Sequence, residues 1–356
     1  MIILSCTNQN PPFGMYVRRD IKWNLVLQIA WKYLIFFALY SAAIVGLHHY
    51  FSHTEQDINL TIPFLPISTI GIAVAFYLGF KNNQAYDRFW EARKIWGGII
   101  NYSRTWGIHV LTYITNLHAS QKYSEEAIAE IQKRLIYRHI GWLYALTHML
   151  RQASSFSKVN NKGIVKKFTG ERPGREHFDK DVAPFLSSEE YEDLYNSANL
   201  CTQLIRKQGE ELKDLRIDKE LIDDFRHIEM MKILEEFYNL QGKCERINKT
   251  PFPRQFAYFS KVFTWIFILV MPFGLLGEFE SLDHNYMWLT IPFFIMIAWI
   301  FMTMELVGDS SEDPFENFVN DVPMTALTRV IERDLKQMLG DNELPPIVLP
   351  VKDVLM

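Results

Sequence analysis

Residues 60–80 read LTIPFLPISTIGIAVAFYLGF, a run of 21 positions without a charged side chain. A helix rises about 1.5 Å per residue, so about 20 apolar residues cross a hydrocarbon core roughly 30 Å thick. This stretch meets that requirement and ends in cations, with Lys81, Arg88, Arg93 and Lys94 following it. Three further runs have the same character. His284–Met304 holds no Asp, Glu, Lys or Arg over 21 residues. Val262–Gly277 is uncharged over 16 residues, and it becomes a full span if Lys261 snorkels its ammonium toward the interface. Leu25–Tyr50 carries the single cation Lys32, beyond which Tyr33–Leu47 is uncharged over 15 residues. The chain is therefore expected to be an all-α integral membrane protein with four transmembrane helices.

Basic residues flank these runs asymmetrically. Arg18, Arg19 and Lys22 precede the first span, and Lys243, Arg246, Lys249 and Arg254 precede the third. The connecting hairpins carry acids instead: Glu55 and Asp57 in the first, Glu278, Glu280 and Asp283 in the second. Lys and Arg are retained on the cytoplasmic side. Both termini and the long intervening segment are thus expected in the cytoplasm, with the spans in the inner membrane. The division is a cytoplasmic N-terminal segment 1–22, a first transmembrane hairpin 23–80, a cytoplasmic helical domain 81–254, a second hairpin 255–305 and a cytoplasmic C-terminal segment 306–356.

Composition agrees with such a split. The mean hydropathy of −0.05 averages four apolar runs against a highly charged middle. Aromatics make up 14% of the chain, which suits lipid-facing and interfacial side chains. The net charge of −4 gives no reason to expect nucleic acid as a partner. Cys6, Cys201 and Cys244 lie far apart, without the spacing of a zinc site or a disulfide framework. The first apolar run follows three cations and lacks a small-residue cleavage site, so no cleavable leader is expected.

The middle segment reads as helices. Tyr86–Trp106 continues the second span out of the membrane, and Ser124–Arg151 has apolar residues at helical spacing. Residues 155–184, rich in Gly, Lys, Asn and Pro, read as a loop or a short irregular element. Helices follow over 188–211 and 218–248, and the Pro-containing tail after Gly340 is extended. Thr250-Pro251-Phe252-Pro253 is a turn into the third span. Arg88, Glu91 and Arg93 read as structural ion pairs or contacts to lipid headgroups. No phosphate-binding glycine loop, nucleophile elbow or zinc-protease signature is present, and no residue set supports catalysis. No enzyme and no cofactor are expected.

Within the second span, Ile72, Phe76 and Phe80 recur every fourth residue and share one helical face. Gly71, Ala75 and Gly79 lie beside it and allow close helix approach. A ring of such helices would stack apolar constrictions, which gate pores by dewetting. The same stripe would also serve against another span or against lipid, and spacing alone leaves these readings open.

Three segments resemble the bestrophin family in its bacterial branch. The first runs from Gly79 to Arg93, GFKNNQAYDRFWEAR, and continues to Trp96-Gly97. The second is ERINKTPFP, residues 245–253, just before the third span. The third is DPFEN, residues 313–317, with NDVP at 320–323, just past the fourth. The resemblance implies an ion channel, a homopentamer around one central pore in the lipid bilayer, passing small monovalent ions. It implies that Ile72, Phe76 and Phe80 line the neck. It also implies a second constriction at the cytoplasmic exit, within residues 195–210, to which Ile205 is assigned. Animal relatives hold calcium with acids after the last span. Asp309, Glu312, Asp313, Glu316 and Asp321 stand there in this chain, without the continuous acidic run of those proteins. Asp313 before Pro314 reads instead as a helix N-cap with Pro in the first turn, so no metal is expected.

The family includes anion channels, and some bacterial members favour cations. Glu55, Asp57, Glu278, Glu280 and Asp283, repeated around an outer mouth, would raise the local cation concentration and favour cations over chloride. The alternatives are a secondary transporter and a membrane-anchored signalling or scaffold protein. Charged mid-membrane residues and inverted repeats, expected of a transporter, are not visible.

Overall fold

The computed structural model of the chain describes residues 15–18, 20, 23–52, 59–151, 175–195, 197–316, 320–350 and 354–355. They form α1 (Trp23–Ser52), α2 (Phe64–Tyr113), α3 (Glu125–Arg151), α4 (Arg175–Val182), α5 (Ser188–Tyr195), α6 (Leu200–Ile217), α7 (Asp224–Lys249), α8 (Arg254–Leu282), α9 (Thr290–Ser310) and α10 (Met324–Leu339). The only strands among the described residues are β1 (Met15–Tyr16) and β2 (Val354–Leu355), an antiparallel pair that joins the two ends of the chain. The fold is all-α, and four of its helices (α1, α2, α8, and α9 with the 3-10 turn before it) are long and apolar enough to cross a bilayer.

The chain separates into two compact units. One comprises Arg18–Arg88 and Phe252–Glu312; the other comprises Met1–Val17, Phe89–Pro251 and Asp313–Met356. In the first, α1, α8, α9 and the N-terminal part of α2 share a core with Phe37, Ile67, Leu78, Ile268, Phe294 and Met302 at its centre. Asn59 starts the approach to α2 by accepting hydrogen bonds from the Thr61 N–H (2.8 Å) and hydroxyl (2.7 Å). Pro63 follows just before the first helical turn, where a missing N–H costs nothing.

The second unit packs the rest of α2 with α3, α6, α7 and α10 around Trp96, Trp106, Trp142 and Phe237. Three of its helices, α3, α6 and α7, begin on side-chain caps. Ser124 accepts from Ala127 N–H at 3.2 Å, Asn199 from Thr202 N–H at 3.1 Å, and Asp223 from Arg226 N–H at 3.0 Å. Gly340 ends α10 with φ of 80°, the left-handed conformation that glycine takes without strain. Arg138 ties three helices together: its guanidinium donates to Glu190 of α5 (2.5 Å), and to Gln208 (3.0 Å) and Glu211 (2.7 Å) of α6.

Three sequence expectations change. The helix expected over 188–211 is two helices, because Asn199 caps a new start at Leu200. Residues 175–182, expected to be irregular, form α4; most of the rest of that stretch lies outside the described residues. Asp313 does not cap a helix: residues 311–316 are turns, and α10 begins only at Met324, after Pro323.

Candidate functional site

α2 is the element that positions the candidate site. It is 50 residues long, roughly 75 Å at the usual rise, and so extends well past one bilayer thickness. Its buried residues in the membrane-type unit are Ile67, Gly71, Val74, Leu78, Lys81 and Ala85. These follow the alternating three- and four-residue spacing of one helical face.

That face is keyed to α8 by glycines. A Cβ on Gly71 would lie 2.7 Å from the Phe267 ring, and one on Gly274 would lie 2.6 Å from the Ile67 side chain. Small residues thus let the two helices approach closely. Tyr77 stacks on Phe256 with ring centroids 4.4 Å apart and meets Phe263 edge-on. Gly79, expected to share this role, would meet nothing within 4 Å; it lies on the open side.

The opposite face of α2 carries Ile72, Phe76 and Phe80, which are 61%, 66% and 62% exposed in the single chain. Three large apolar side chains therefore remain uncovered over two turns, while Val74 and Leu78 between them are buried.

The acids singled out in the loops are distributed rather than gathered. Glu280 accepts from His48 of α1, its two carboxylate oxygens lying 2.9 and 3.0 Å from Nε2. His284 approaches the same carboxylate at 3.6 Å. Asp283 caps the 3-10 turn after α8 by accepting from Asn285 N–H at 2.8 Å. Glu278 is exposed. Glu55 and Asp57 lie outside the described residues.

In the last turn of α9 Asp309 pairs with Lys81, and just beyond that helix the Glu312 carbonyl accepts from Arg88 Nε at 2.8 Å. Asp309, Glu312 and Asp313 do not converge on a common point. Among the described residues no group of three or more His, Cys, Asp or Glu side chains is arranged to hold a metal ion. Glu91 pairs with Lys94 at 2.9 Å, one turn along α2.

Ile205 is buried, 3% exposed, inside the water-type core. The spacing of Cys201, Leu204, Ile205, Gln208 and Leu212 turns that face of α6 inward. A residue that lines an aperture has to reach an open surface, and in the single chain Ile205 does not.

The sequence reading missed a buried ionic cluster. Lys81 is fully buried; its ammonium donates to Glu305 Oε1 at 2.8 Å and also pairs with Asp309. Ser260 of α8 donates to Glu305 Oε2 at 2.7 Å. The signal was available: a Lys closes one apolar run, and Glu305 follows another directly.

The bacterial/fungal bestrophin protein family matches residues 9–337. The chain belongs to this family. Among curated bestrophin relatives, the "voltage-dependent anion channel-forming protein YneE" of Escherichia coli (strain K12) is 26% identical over 342 residues, covering 95% of this chain and 96% of the relative. A protein of the same description from Mesorhizobium japonicum, mll4386, is 27% identical over 316 residues, covering 89% of this chain and 86% of its own. Among solved structures, a bacterial bestrophin homologue from Klebsiella pneumoniae superposes with a TM-score of 0.69 at 24% identity, covering 87% of this chain and 98% of that one. The bestrophin fold thus extends over most of the chain, and membership places it among channel-forming membrane proteins rather than enzymes.

Proposed function

We propose that this bestrophin assembles as a homopentamer around one central pore in the inner membrane and passes small monovalent ions through an apolar neck of Ile72, Phe76 and Phe80. The observation that carries this reading is the uncovered face of α2. Its back is keyed to α8, yet three large apolar side chains are left open. Identical copies around an axis would stack these into three rings, each about 6 Å from the next at four residues per step. A narrow apolar passage of this kind resists wetting and so controls ion flow. Both termini and the charged middle segment face the cytoplasm, a reading supported by the basic residues that flank the spans.

For selectivity we take cations as the favoured ions, because Glu278, Asp283, Glu55 and Asp57 repeat around the outer mouth. Glu280 contributes least, since His48 holds its carboxylate. The opposite reading, anions, is favoured by the names of the relatives, which are called anion channel-forming. Reversal potentials in asymmetric KCl discriminate: a shift toward the potassium equilibrium potential is expected, and a shift toward the chloride potential overturns cation preference.

The neck is tested by liposome ion flux with Ile72, Phe76 and Phe80 replaced together by Ala. The variant widens and wets the passage, so flux rises. Unchanged flux from a verified, folded oligomer removes these residues from the pore.

A further inference from the structure

The buried charges lie directly behind the neck. Lys81 is the residue after Phe80, and successive helical residues point about 100° apart. Phe80 is accordingly open while Lys81 is fully buried. The Lys81 ammonium is held by Glu305 and Asp309 of α9, and Glu305 is held in turn by Ser260 of α8. One cation thus fastens α2 to two neighbouring helices at the level where the stripe ends.

Backbone packing repeats the message. A Cβ on Gly308 of α9 would lie 2.5 Å from Asn82 Oδ1 and 3.3 Å from Lys81 Cε. α9 therefore comes against α2 at Lys81 and Asn82 only because residue 308 has no side chain. Below this point Arg88 donates to the Glu312 carbonyl at 2.8 Å, a further link between α2 and the end of α9.

Charges sealed from water are costly unless paired, and removing one partner strands the other. An apolar side chain would fill the same space without that risk, but it would not fix a direction. A hydrogen-bonded ion pair does, because the ammonium has to meet both carboxylates at once.

We propose that Lys81, through Glu305 and Asp309, is a positioning residue for the pore: the cluster sets the rotation of α2 that aims Phe80, and with it Phe76 and Ile72, into the passage. This rests on the neck reading given above. Lys81 is not an ion-attracting group of the passage, because its charge is turned away from the open face and neutralised behind it.

The test uses full-length protein in liposomes and planar bilayers, with four variants beside wild type. Lys81→Met releases the tether, and flux is expected to rise about threefold or more, through a higher open probability rather than a changed ion preference. Gly308→Ala wedges α9 from α2 without altering charge and should move flux in the same direction by less. The triple variant Lys81→Met, Glu305→Gln, Asp309→Asn leaves no stranded charge. It should recover the wild-type melting temperature yet keep the raised open probability.

A triple variant that regains both wild-type stability and wild-type gating overturns the proposal, because the cluster would then matter only for stability. An altered cation-to-anion permeability ratio in Lys81→Met also overturns it, since that would put the charge in the passage. The fourth variant, Ile72, Phe76 and Phe80 to Ala, separates the two readings. If it leaves flux unchanged, the neck itself fails. If it raises flux while the Lys81 and Gly308 variants gate as wild type, only the positioning role fails.

Discussion

Phe237 and Phe76 are the same side chain in two opposite settings. Phe237, on α7, is fully buried against Trp142 and His139, with ring centroids 5.1 and 4.4 Å away. Phe76, on α2, is 66% exposed. The contrast runs through the two units. The unit containing Phe89–Pro251 hides three of its four tryptophans, Trp96, Trp106 and Trp142, and leaves only Trp90 half-exposed, as suits a chain packed against water. The unit containing Arg18–Arg88 and Phe252–Glu312 leaves Trp31, Ile35, Leu39, Ile72, Phe76, Phe263 and Ile300 outside. Lipid is as apolar as leucine, so exposure to it of side chains such as Trp31, Ile35 and Leu39 carries little penalty, and what decides packing is small residues and paired polar groups. In that unit Ser41 and Thr264 return their hydroxyl protons to backbone carbonyls four residues earlier, and Lys81 spends its charge on two carboxylates.

Truncating the two phenylalanines breaks or sharpens this contrast most strongly. Phe237→Ala opens a cavity in a packed core and should cost about 3–5 kcal/mol of stability. The expected readout is a large fall in the melting midpoint of the purified protein, or loss of folded material. Phe76→Ala removes a side chain that the single chain leaves open. It should change melting by less than about 1 kcal/mol equivalent while raising ion flux. Comparable melting losses in both variants would mean that α2's open face is packed as tightly as a core.

Histidine gives the next contrast. His139 is enclosed by Trp142 and Phe237; its Nε2–H donates to Ser103 Oγ at 2.8 Å, and Ser103 donates to the Ile99 carbonyl at 2.6 Å. Burial pushes its pKa from 6.5 down to about 3. The folded chain therefore keeps the ring neutral, whereas the unfolded chain takes up a proton below pH 6.5. Stability from this group is full above that pH and declines as pH falls, by about 1.4 kcal/mol per pH unit down to about pH 3. Between pH 6.5 and 5 the loss is about 2 kcal/mol. His139→Gln lacks the titrating ring, so its melting midpoint should depend less on pH over that interval. Parallel pH profiles for variant and wild type would exonerate His139.

How far these features were legible in the sequence follows the same division. The spans could be read because lipid demands an unbroken apolar run, and residues 60–80 supply one without help from the rest of the chain. The Ile72–Phe76–Phe80 stripe was equally visible, since a period of four needs no partner to be noticed. The charges of the Lys81 cluster were visible at the ends of apolar runs, but their pairing was not, because it depends on Glu305 and Asp309, more than 200 residues away, reaching the same level of α2. The burial of Ile205 in the single chain was less legible: position within a resembling segment does not say which side of α6 faces inward, whereas the spacing of Leu204, Gln208 and Leu212 around it does. The helix expected over 188–211 ignored Asn199, whose side chain prefers a cap to a helix interior.

That cap supplies a smaller test. Asn199 accepts from Thr202 N–H and also donates to Glu245 Oε1 at 3.1 Å, joining the start of α6 to α7. Asn199→Ala leaves the first-turn N–H without its acceptor and should cost about 1 kcal/mol. Asn199→Ser keeps a capping oxygen and should recover most of the loss in melting. If Ala and Ser behave alike, the contact to Glu245 rather than the cap holds this end of the helix.

The smallest effect belongs to the surface counterpart of the Lys81 cluster. Arg206 and Glu210 pair one turn apart on α6, with side chains 46% and 49% exposed. Water already solvates both groups, and ordering two long side chains offsets much of the Coulomb gain, so the pair should contribute only about 0.3–0.5 kcal/mol. Salt screens such a pair, with a Debye length of about 8 Å at physiological strength and about 3 Å at 1 M. Arg206→Ala should therefore lower melting slightly at low salt and not at all at 1 M. Lys81→Met should behave differently, because Lys81 and Glu305 are sealed from the ions that do the screening even though Asp309 is 41% exposed: most of its stability loss should persist at 1 M salt. If salt erased both effects, the Lys81 cluster would have to be open to water, and the contrast between paired charge outside and paired charge inside would collapse.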